Sequence, residues 1–301
     1  MSNFAPIAFF VYNRPEHTKI SLEALKNNVL ARDTDLIIFS EAAKENELDK
    51  IKVNQVRKII ENCNGFKSVL IKKRDKNFGL YKNFTEGITE VCNKFGKIIV
   101  VEDDNQVSKY FLKFINDGLD MYLNYDKVCS INGWFFPGKN DLENNFFLKG
   151  GDTWGWGTWK RAWKEFNPDT EYLLREIKSR KLIKKFNLNN SFNYYKMLEK
   201  RHLELNESHS IIWKASTFLK NMHSLYPAKS FVRNIGFDGS GTHNKKPDEL
   251  YLNQKIEDYQ MNLKKKEIVE NKYAFKFVVN FHKKEKIKNL FLRIKKKLFN
   301  F

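Results

Sequence analysis

Proline and glycine are scarce in this 301-residue chain, at 6 and 14, and that scarcity excludes collagen-like and low-complexity sequences. Cysteine is scarcer still. Cys63, Cys92 and Cys129 are odd in number and lack the close pairing of a zinc site, so they read as buried thiols of a reducing cytosol. No long hydrophobic run exists. The longest, Ile7 to Tyr12 within FAPIAFFVY, is far short of the roughly 20 residues of a membrane-spanning helix. No basic region precedes it and Asn13-Arg14 closes it, so it does not read as a secretory signal. Acids are also in short supply, 36 Asp+Glu against 54 Lys+Arg, a formal charge of +18 that asks for an anionic partner. What is present, 42% hydrophobic and 15% aromatic residues, can build a large core in one big domain or two small ones.

The positive charge is unevenly placed. Residues 261–301 hold 13 Lys+Arg against 3 acids, a net of +10, which leaves +8 for the first 260. Apolar residues in that tail fall at Ile287, Leu290, Phe291, Ile294, Leu298 and Phe301, with lysines and Arg293 between them, the pattern of a basic amphipathic helix. Such a helix can lie in a bilayer interface, where each Lys or Arg near an anionic surface contributes about 1 kcal/mol. An anionic membrane surface, bound through residues 272–301, is the expected partner, and a peripheral place on the inner face of the cytoplasmic membrane the expected location. A terminal helix packed on the domain with a solvated basic face is the plainer alternative. Nucleic acid is the least expected partner, because the folded body shows neither a recognised motif nor basic residues interleaved with stacking aromatics.

The first 105 residues alternate between two periods. Pro6 to Tyr12, Asp35 to Ser40, Ser68 to Ile71 and Lys97 to Val101 read as strands, separated by helical patterns after Pro15, over Ile51 to Ile60 and over Phe84 to Phe95. This alternation predicts an α/β fold, a Rossmann-like and mostly parallel sheet flanked by helices, followed by the basic amphipathic C-terminal helix. Ligands of such sheets collect at the carboxyl ends of the strands, which singles out Asn13 and Arg14, Glu41, and the triplet Glu102-Asp103-Asp104. Three acids at the end of a buried strand are costly unless a cation neutralises them. Carboxylates suit Mg²⁺ or Mn²⁺, and a metal held by one or two of them usually completes its shell with phosphate oxygens. An acidic turn capping the next helix near Ser108 is the structural alternative. Beyond Asn105 come a helix over Tyr110 to Leu123, the apolar VCSINGWFF, the motif GGDTWGWGTWKRAW, a helix-rich stretch from about Asp169 to Glu204, and NIGFDGSGTH.

A strand ending in Y-N-R-P, a strand ending in S-E-A, the segment N-F-G-L (Asn77 to Leu80) and I-I-V-V-E-D-D together resemble the nucleotide-sugar half of a GT-A-fold glycosyltransferase. The likeness is greatest to bacterial sugar transferases related to N-acetylglucosaminyltransferase I, and it continues through W-G-W-G-T-W and N-I-G-F-D-G-S-G-T-H, covering about residues 5–245. The resemblance implies a GT-A catalytic domain over 1–260, with 1–105 binding the nucleotide-sugar and 106–260 forming the acceptor side, and a separate tail over 261–301. It implies Asp104 as metal ligand, Glu102 and Asp103 facing nucleoside and donor sugar, and Asn13 and Arg14 at the nucleotide, where a guanidinium suits phosphate. Glu41 stands where the family has an Asp that accepts the uracil N–H.

The tryptophans divide by setting. Glycines beside Trp154 and Trp156 let backbone approach a ligand and indole faces stack on sugar rings, whereas Trp159 and Trp163, four apart, read as helix-to-core packing. Asp152 could accept sugar hydroxyls. An inverting transfer needs a general base for the acceptor hydroxyl. Glu207, in N-E-S-H-S-I-I-W, matches the family position, although His209 replaces its usual tryptophan; Asp238 is the alternative base, with His243 near the phosphates or metal. The function this implies is a metal-dependent hexosyl- or N-acetylhexosaminyltransferase. It would move a sugar from a UDP-sugar to an oligosaccharide or lipid-linked saccharide acceptor in bacterial surface polysaccharide or lipooligosaccharide synthesis. Two other classes use parts of the same sequence. A metal-dependent nucleic-acid-processing enzyme would use the acids for metal and the basic excess for phosphates. A non-catalytic carbohydrate-binding protein would not need acids at a strand end.

Overall fold

A computed structural model describes residues 4–241 and 246–299. The chain begins as β1 (Ile7–Val11), α1 (Pro15–Lys26), β2 (Asp35–Ser40), α2 (Glu47–Glu61), β3 (Ser68–Lys73), α3 (Leu80–Phe95) and β4 (Lys97–Glu102). Local chemistry sets these boundaries. Pro15 opens α1, the Asn46 side chain caps α2 by accepting from the Asp49 N–H at 2.8 Å, and Gly96 ends α3 in the left-handed region at φ 78°. β1 is buried along its whole length and β2 and β4 through their centres, as continuous apolar runs require when helices cover both sheet faces. The right-handed crossover rule puts α1 and α2 on one face and α3, which steps back from β3 to β4, on the other.

The second half continues as β5 (Asn105–Val107), α4 (Phe111–Met121), β6 (Val128–Asn132), β7 (Asn145–Lys149), β8 (Trp156–Trp159), α5 (Lys160–Trp163), α6 (Thr170–Ser179), α7 (Ile183–Phe186), α8 (Tyr194–His202), α9 (His209–Leu219), β9 (His223–Pro227), β10 (Val232–Asn234), α10 (Glu249–Leu252) and α11 (Lys272–Phe299). One sheet of order β3-β2-β1-β4-β8-β6-β9-β7 runs through both halves, and only β8 and β7 oppose the other strands. β5 and β10 form a separate antiparallel ribbon at the carboxyl end of β4. The sheet's β3 edge is half-exposed and carries Lys72 and Lys73, which disfavour pairing with another chain. At the β7 edge, Glu270 bridges Phe147 and the Asn271 N–H donates to the Phe147 carbonyl.

The polar stretch after Asp169 forms a satellite core. Leu173, Ile177, Phe186 and Leu198 from α6 to α8 pack on Ile211, Ile212, Ala215 and Phe218 of α9. The other side of α9 meets the sheet through Trp213, which lies against Trp156 and Trp163. The tail helix starts earlier than its sequence pattern predicts, at Lys272, and Ala274, Val278 and Phe281 join the main core. Ile287, Leu290 and Phe291 stand exposed, while Ile294, Leu298 and Phe301 lie outside the described side chains. No described helix is long and apolar enough to cross a membrane.

Candidate active site

β1 and β4 pair in parallel with Phe10 opposite Glu102, so the residues that leave both strands emerge side by side. The Tyr12 N–H donates to Asp103 Oδ2 at 3.3 Å, and the Ser21 hydroxyl donates to the Asp103 carbonyl at 2.8 Å. Arg14 Nη1 meets Asp104 Oδ2 at 2.9 Å, and Asn105 Nδ2 donates to Asp104 Oδ1 at 2.9 Å. Burial, then the neighbouring Asp104 and Asp103 carboxylates, pushes the Glu102 pKa well above the carboxylate range. Burial and Asp104 push Asp103 up to about 7, with Arg14 acting in the opposite sense. For Arg14 itself, burial disfavours the charge but Asp103, Asp104 and Glu102 outweigh it and hold the guanidinium protonated. The cluster is short of positive charge.

The NIGFDGSG segment folds onto this pair. Asn234 of β10 pairs with Asn105, and the Ile235 N–H donates to the Asp104 carbonyl at 2.8 Å. Gly236 follows so closely that a Cβ there would stand 2.4 Å from Asp104 Oδ2 and 2.9 Å from Arg14 Nη1. Two motifs 130 residues apart thus share one wall. Asp238 is held by neighbours: Oδ1 accepts from the Ser240 N–H at 2.9 Å and its hydroxyl at 2.6 Å, and Oδ2 lies 3.2 Å from His17 Nε2. Burial alone would raise the Asp238 pKa, but the Ser240 bonds and the charges of His17 and Arg14 bring it below the ordinary value. Both oxygens are occupied. His243 lies outside the described residues.

Asn13 is turned away from the acids. Its Nδ2 donates to Asp49 Oδ1 at 2.5 Å, and Asp49 Oδ2 accepts from the Tyr12 hydroxyl and from the Lys44 N–H, the latter at 2.6 Å. Burial works against the Asp49 charge, yet these donors together hold its pKa below normal. Sequence reasoning passed over Asp49. The signal was present, because Asp49, Val53, Val56 and Ile60 form one buried stripe at spacings of a helix, and an acid on such a stripe needs donors.

Glu41 takes a different part from the one its position implies. Its side chain is only 4% exposed; Oε1 accepts from the Ala42 and Phe78 N–H groups at 2.9 and 3.1 Å, and Oε2 is buried without a partner. Burial raises its pKa. Through Oε1 it ties the loop after β2 to the N-F-G-L turn. Glu207 lies just outside that turn, exposed, with Oε2 accepting from the Leu80 N–H at 2.6 Å over Gly79, whose φ is +76°. The carboxylate therefore sits on the positive end of α3.

The tryptophans also separate. Trp156 is fully buried in β8, against Trp163 and Trp213, so the expectation that it contacts a ligand is corrected: the glycines beside it serve close packing on Ile115 and Val232. Trp159, expected in a helix, ends the same strand and donates to the Leu119 carbonyl at 3.1 Å. Trp154 is half-buried, edge-on to Trp134 at 4.6 Å and to Phe237 at 5.6 Å, and Phe237 stacks on Tyr251 at 4.0 Å. These rings form a wall next to Gly236. Asp152 is not available to sugar hydroxyls, since Lys214 Nζ at 2.8 Å and the Tyr226 hydroxyl at 2.6 Å hold its two oxygens.

Solved structures of this general shape are known. S. aureus TarS 1–349 in complex with UDP-GlcNAc is 9% identical over 76% of this chain and 57% of its own, with a TM-score of 0.45. S. aureus TarS 1–349 is also matched at 10% identity over 76% and 59%, with a TM-score of 0.42. The mannosyltransferase PcManGT from Pyrobaculum calidifontis, in complex with GDP-Man and Mn²⁺, is 11% identical over 43% of this chain and 35% of its own, with a TM-score of 0.33. The chain thus spans less than two thirds of each of these structures. No family model and no curated protein sequence matches it.

Among the described residues, no three His, Cys, Asp or Glu side chains converge as a metal cage. The donor chemistry nevertheless fits a hard divalent cation that keeps waters and takes ligand oxygens: the site offers carboxylates only, two of them raised in pKa by burial and by one another's charge.

Proposed function

We propose that this chain is a glycosyltransferase that moves a sugar from a nucleotide-sugar donor to a saccharide acceptor. One observation carries the reading: Arg14 and the Glu102-Asp103-Asp104 triplet meet at the carboxyl ends of adjacent parallel strands, with Gly236 pressed against the Arg14–Asp104 pair. Arg14 is the group that turns from Asp104 to the donor's diphosphate, a bidentate anion that its planar fork matches. Asp104 would hold Mg²⁺ or Mn²⁺, which when bound supplies charge to the leaving diphosphate. Asp103, hydrogen-bonded by the Tyr12 N–H, and Glu102 line the nucleoside and donor-sugar side, and Trp154 with Phe237 offers rings to the sugars. Glu207 is the better of the two candidate bases. It is exposed and only Oε2 is engaged, whereas Asp238 has both oxygens bonded and a weakened basicity.

The motif resemblance supports a UDP-sugar donor, a hexose or N-acetylhexosamine, and an inverting course in bacterial surface polysaccharide or lipooligosaccharide synthesis. The basic tail supports a place at the inner face of the cytoplasmic membrane. The test is nucleotide release by the full chain from a panel of UDP- and GDP-sugars with Mn²⁺. Arg14→Ala and Asp104→Asn should each lower turnover by about 10²–10³, the scale of losing one group that faces developing charge. Glu207→Gln should abolish turnover while donor binding persists, and Asp238→Asn should leave most of it. Stabilisation by DNA or RNA with no response to any nucleotide-sugar would overturn the reading.

A further inference from the structure

The tail helix and the strand-end cleft share one rim. α11 leaves the β7 edge where the Asn271 N–H meets the Phe147 carbonyl, and Phe277 then lies on Phe135 at 5.6 Å. Higher up, Phe281 packs on Phe136 at 5.1 Å and on Tyr251 at 6.2 Å, and Lys288 Nζ comes within 4.0 Å of Asp248 Oδ1. Helical rise makes the path from Lys272 to Lys288 about 24 Å, so the helix climbs from the middle of the sheet edge to α10. α10 is part of the cleft wall, because Tyr251 stacks on Phe237, next to Gly236 and the Arg14–Asp104 pair. The helix runs on to Phe299, about 16 Å beyond Lys288.

Ile287, Leu290 and Phe291 stand 55%, 57% and 67% exposed just where the helix leaves the body. Their spacings of three and one put them on one face, and Lys283, Lys284, Lys286 and Lys288 surround them. Lys246 adds exposed positive charge on the same rim, and Lys255 stands exposed beside Glu257 at 3.7 Å. Three bulky apolar residues ringed by cations match an anionic lipid surface, into which rings and aliphatic chains insert while ammonium groups stay at the headgroups.

We propose that the protein docks on an anionic bilayer with the strand-end cleft facing the lipid, so that its acceptor saccharide is presented on a lipid of that leaflet. The acceptor part rests on the transferase reading; the docking geometry does not. In this pose the aromatic wall of Trp154, Phe237 and Tyr251 lies at the headgroup side, and the amino ends of β6 and β9, with Lys127, point away.

The test uses the full chain and vesicles of phosphatidylglycerol and phosphatidylethanolamine, with brominated lipids as quenchers. A fluorophore is placed on Glu249→Cys at the rim or on Lys127→Cys at the far end, in a Cys63→Ser background, since Cys92 and Cys129 are buried. The expected result is sedimentation with the vesicles at low salt, strong quenching at position 249 and none at 127. Leu290→Glu with Phe291→Glu should lower the bound fraction at least tenfold and leave nucleotide release in solution unchanged. Equal or stronger quenching at 127 would overturn the orientation. Undiminished sedimentation of the double variant would overturn the tail as anchor. A tail-dependent dimer, or tail-dependent binding to RNA, with no vesicle binding would replace the bilayer as occupant. Nucleotide release that fails for every donor would end the transferase reading and leave the docking result standing.

Discussion

At the scale of single residues, Gly236 bears most directly on the site. It is not in the left-handed region, so its reason for being glycine is space, and any Cβ must displace either Asp104 Oδ2 or the Arg14 guanidinium. Gly236→Ala should therefore lower nucleotide release by about 10²-fold, the scale of misplacing a catalytic group by an ångström, with little change in Tm. A variant that loses stability and keeps turnover would place the glycine in packing alone. The acids and Arg14 were legible in the sequence because they follow uninterrupted apolar strands, where charge has no packing reason to be. Glu41 looked the same, yet its Oε1 is engaged by backbone N–H groups of its own loop and of the N-F-G-L turn, which can use a strand-end acid as a ligand can. Asp49 was hidden for the opposite reason: it precedes the helical pattern read over Ile51 to Ile60, and an acid just after Asn46 is ordinary in the first turn of a helix.

At the scale of elements, the parallel half was readable and the rest was not, for reasons of period and length. β1 to β4 alternate with helices of three or more turns, so each stands out. β8 is four residues long, WGTW, and its residues read apart, Trp156 for ligand contact and Trp159 for a helix, while β9 (HSLYP) and β7 (NFFLK) lack the alternation that marks a strand, although Pro137-Gly138 and Gly150-Gly151 flank β7. Their pairing is set by tertiary packing, above all by α9. That helix is fastened to the loop between β7 and β8 by Lys214 and Asp152, in side chains only 10% and 25% exposed, with Tyr226 completing the network. Asp152 keeps a lowered pKa because the Lys214 charge and the two donors outweigh its burial. Breaking such a pair strands a buried charge, so Lys214→Met should cost about 3–5 kcal/mol in urea unfolding. Adding Asp152→Asn should return most of it. If the single and double variants were equally unstable, the pair would not be what joins α9 to the loop.

At the scale of the whole molecule, two global measurements follow from what is buried. Burial pushes His209 and His282 down to about 4, and burial with the nearby Lys149, Lys127 and Lys185 charges does the same to His223. Folded pKa values below the unfolded 6.5 mean that the unfolded chain binds more protons between those limits, so stability is full above about pH 6.5 and falls as pH drops toward 4. His209 stacks on Phe84 at 4.6 Å with no hydrogen-bond partner on either ring nitrogen. His209→Phe should accordingly remove about 1–2 kcal/mol of the loss between pH 7 and pH 5, read from Tm against pH, and an unchanged slope would mean that His209 is charged in the fold.

The tail sets the second measurement and shows how charge and packing divide within one helix. Net charge pointed to residues 261–301 as a unit, but the helix is two pieces in one. Up to Phe281 it supplies Ala274, Val278 and Phe281 to the main core, and from Ile287 it offers apolar side chains to the outside. The charge pattern could not reveal this, because lysines flank both pieces and solvate whichever face is left over. Deleting 287–301 should leave Tm within about 2 °C, since Ile287, Leu290 and Phe291 are exposed and such positions change stability by under about 0.5 kcal/mol each. Deleting 272–301 removes four buried apolar side chains, Ala274, Val278, Val279 and Phe281, the larger three of which each stabilise the fold by about 1–3 kcal/mol, and uncovers Phe135, Phe136 and Tyr251. It should lower Tm by well over 10 °C or leave the chain insoluble. Equal stability of the two truncations would mean that the whole helix is appended to a core complete without it, and the aromatic wall of the cleft would then owe nothing to the tail.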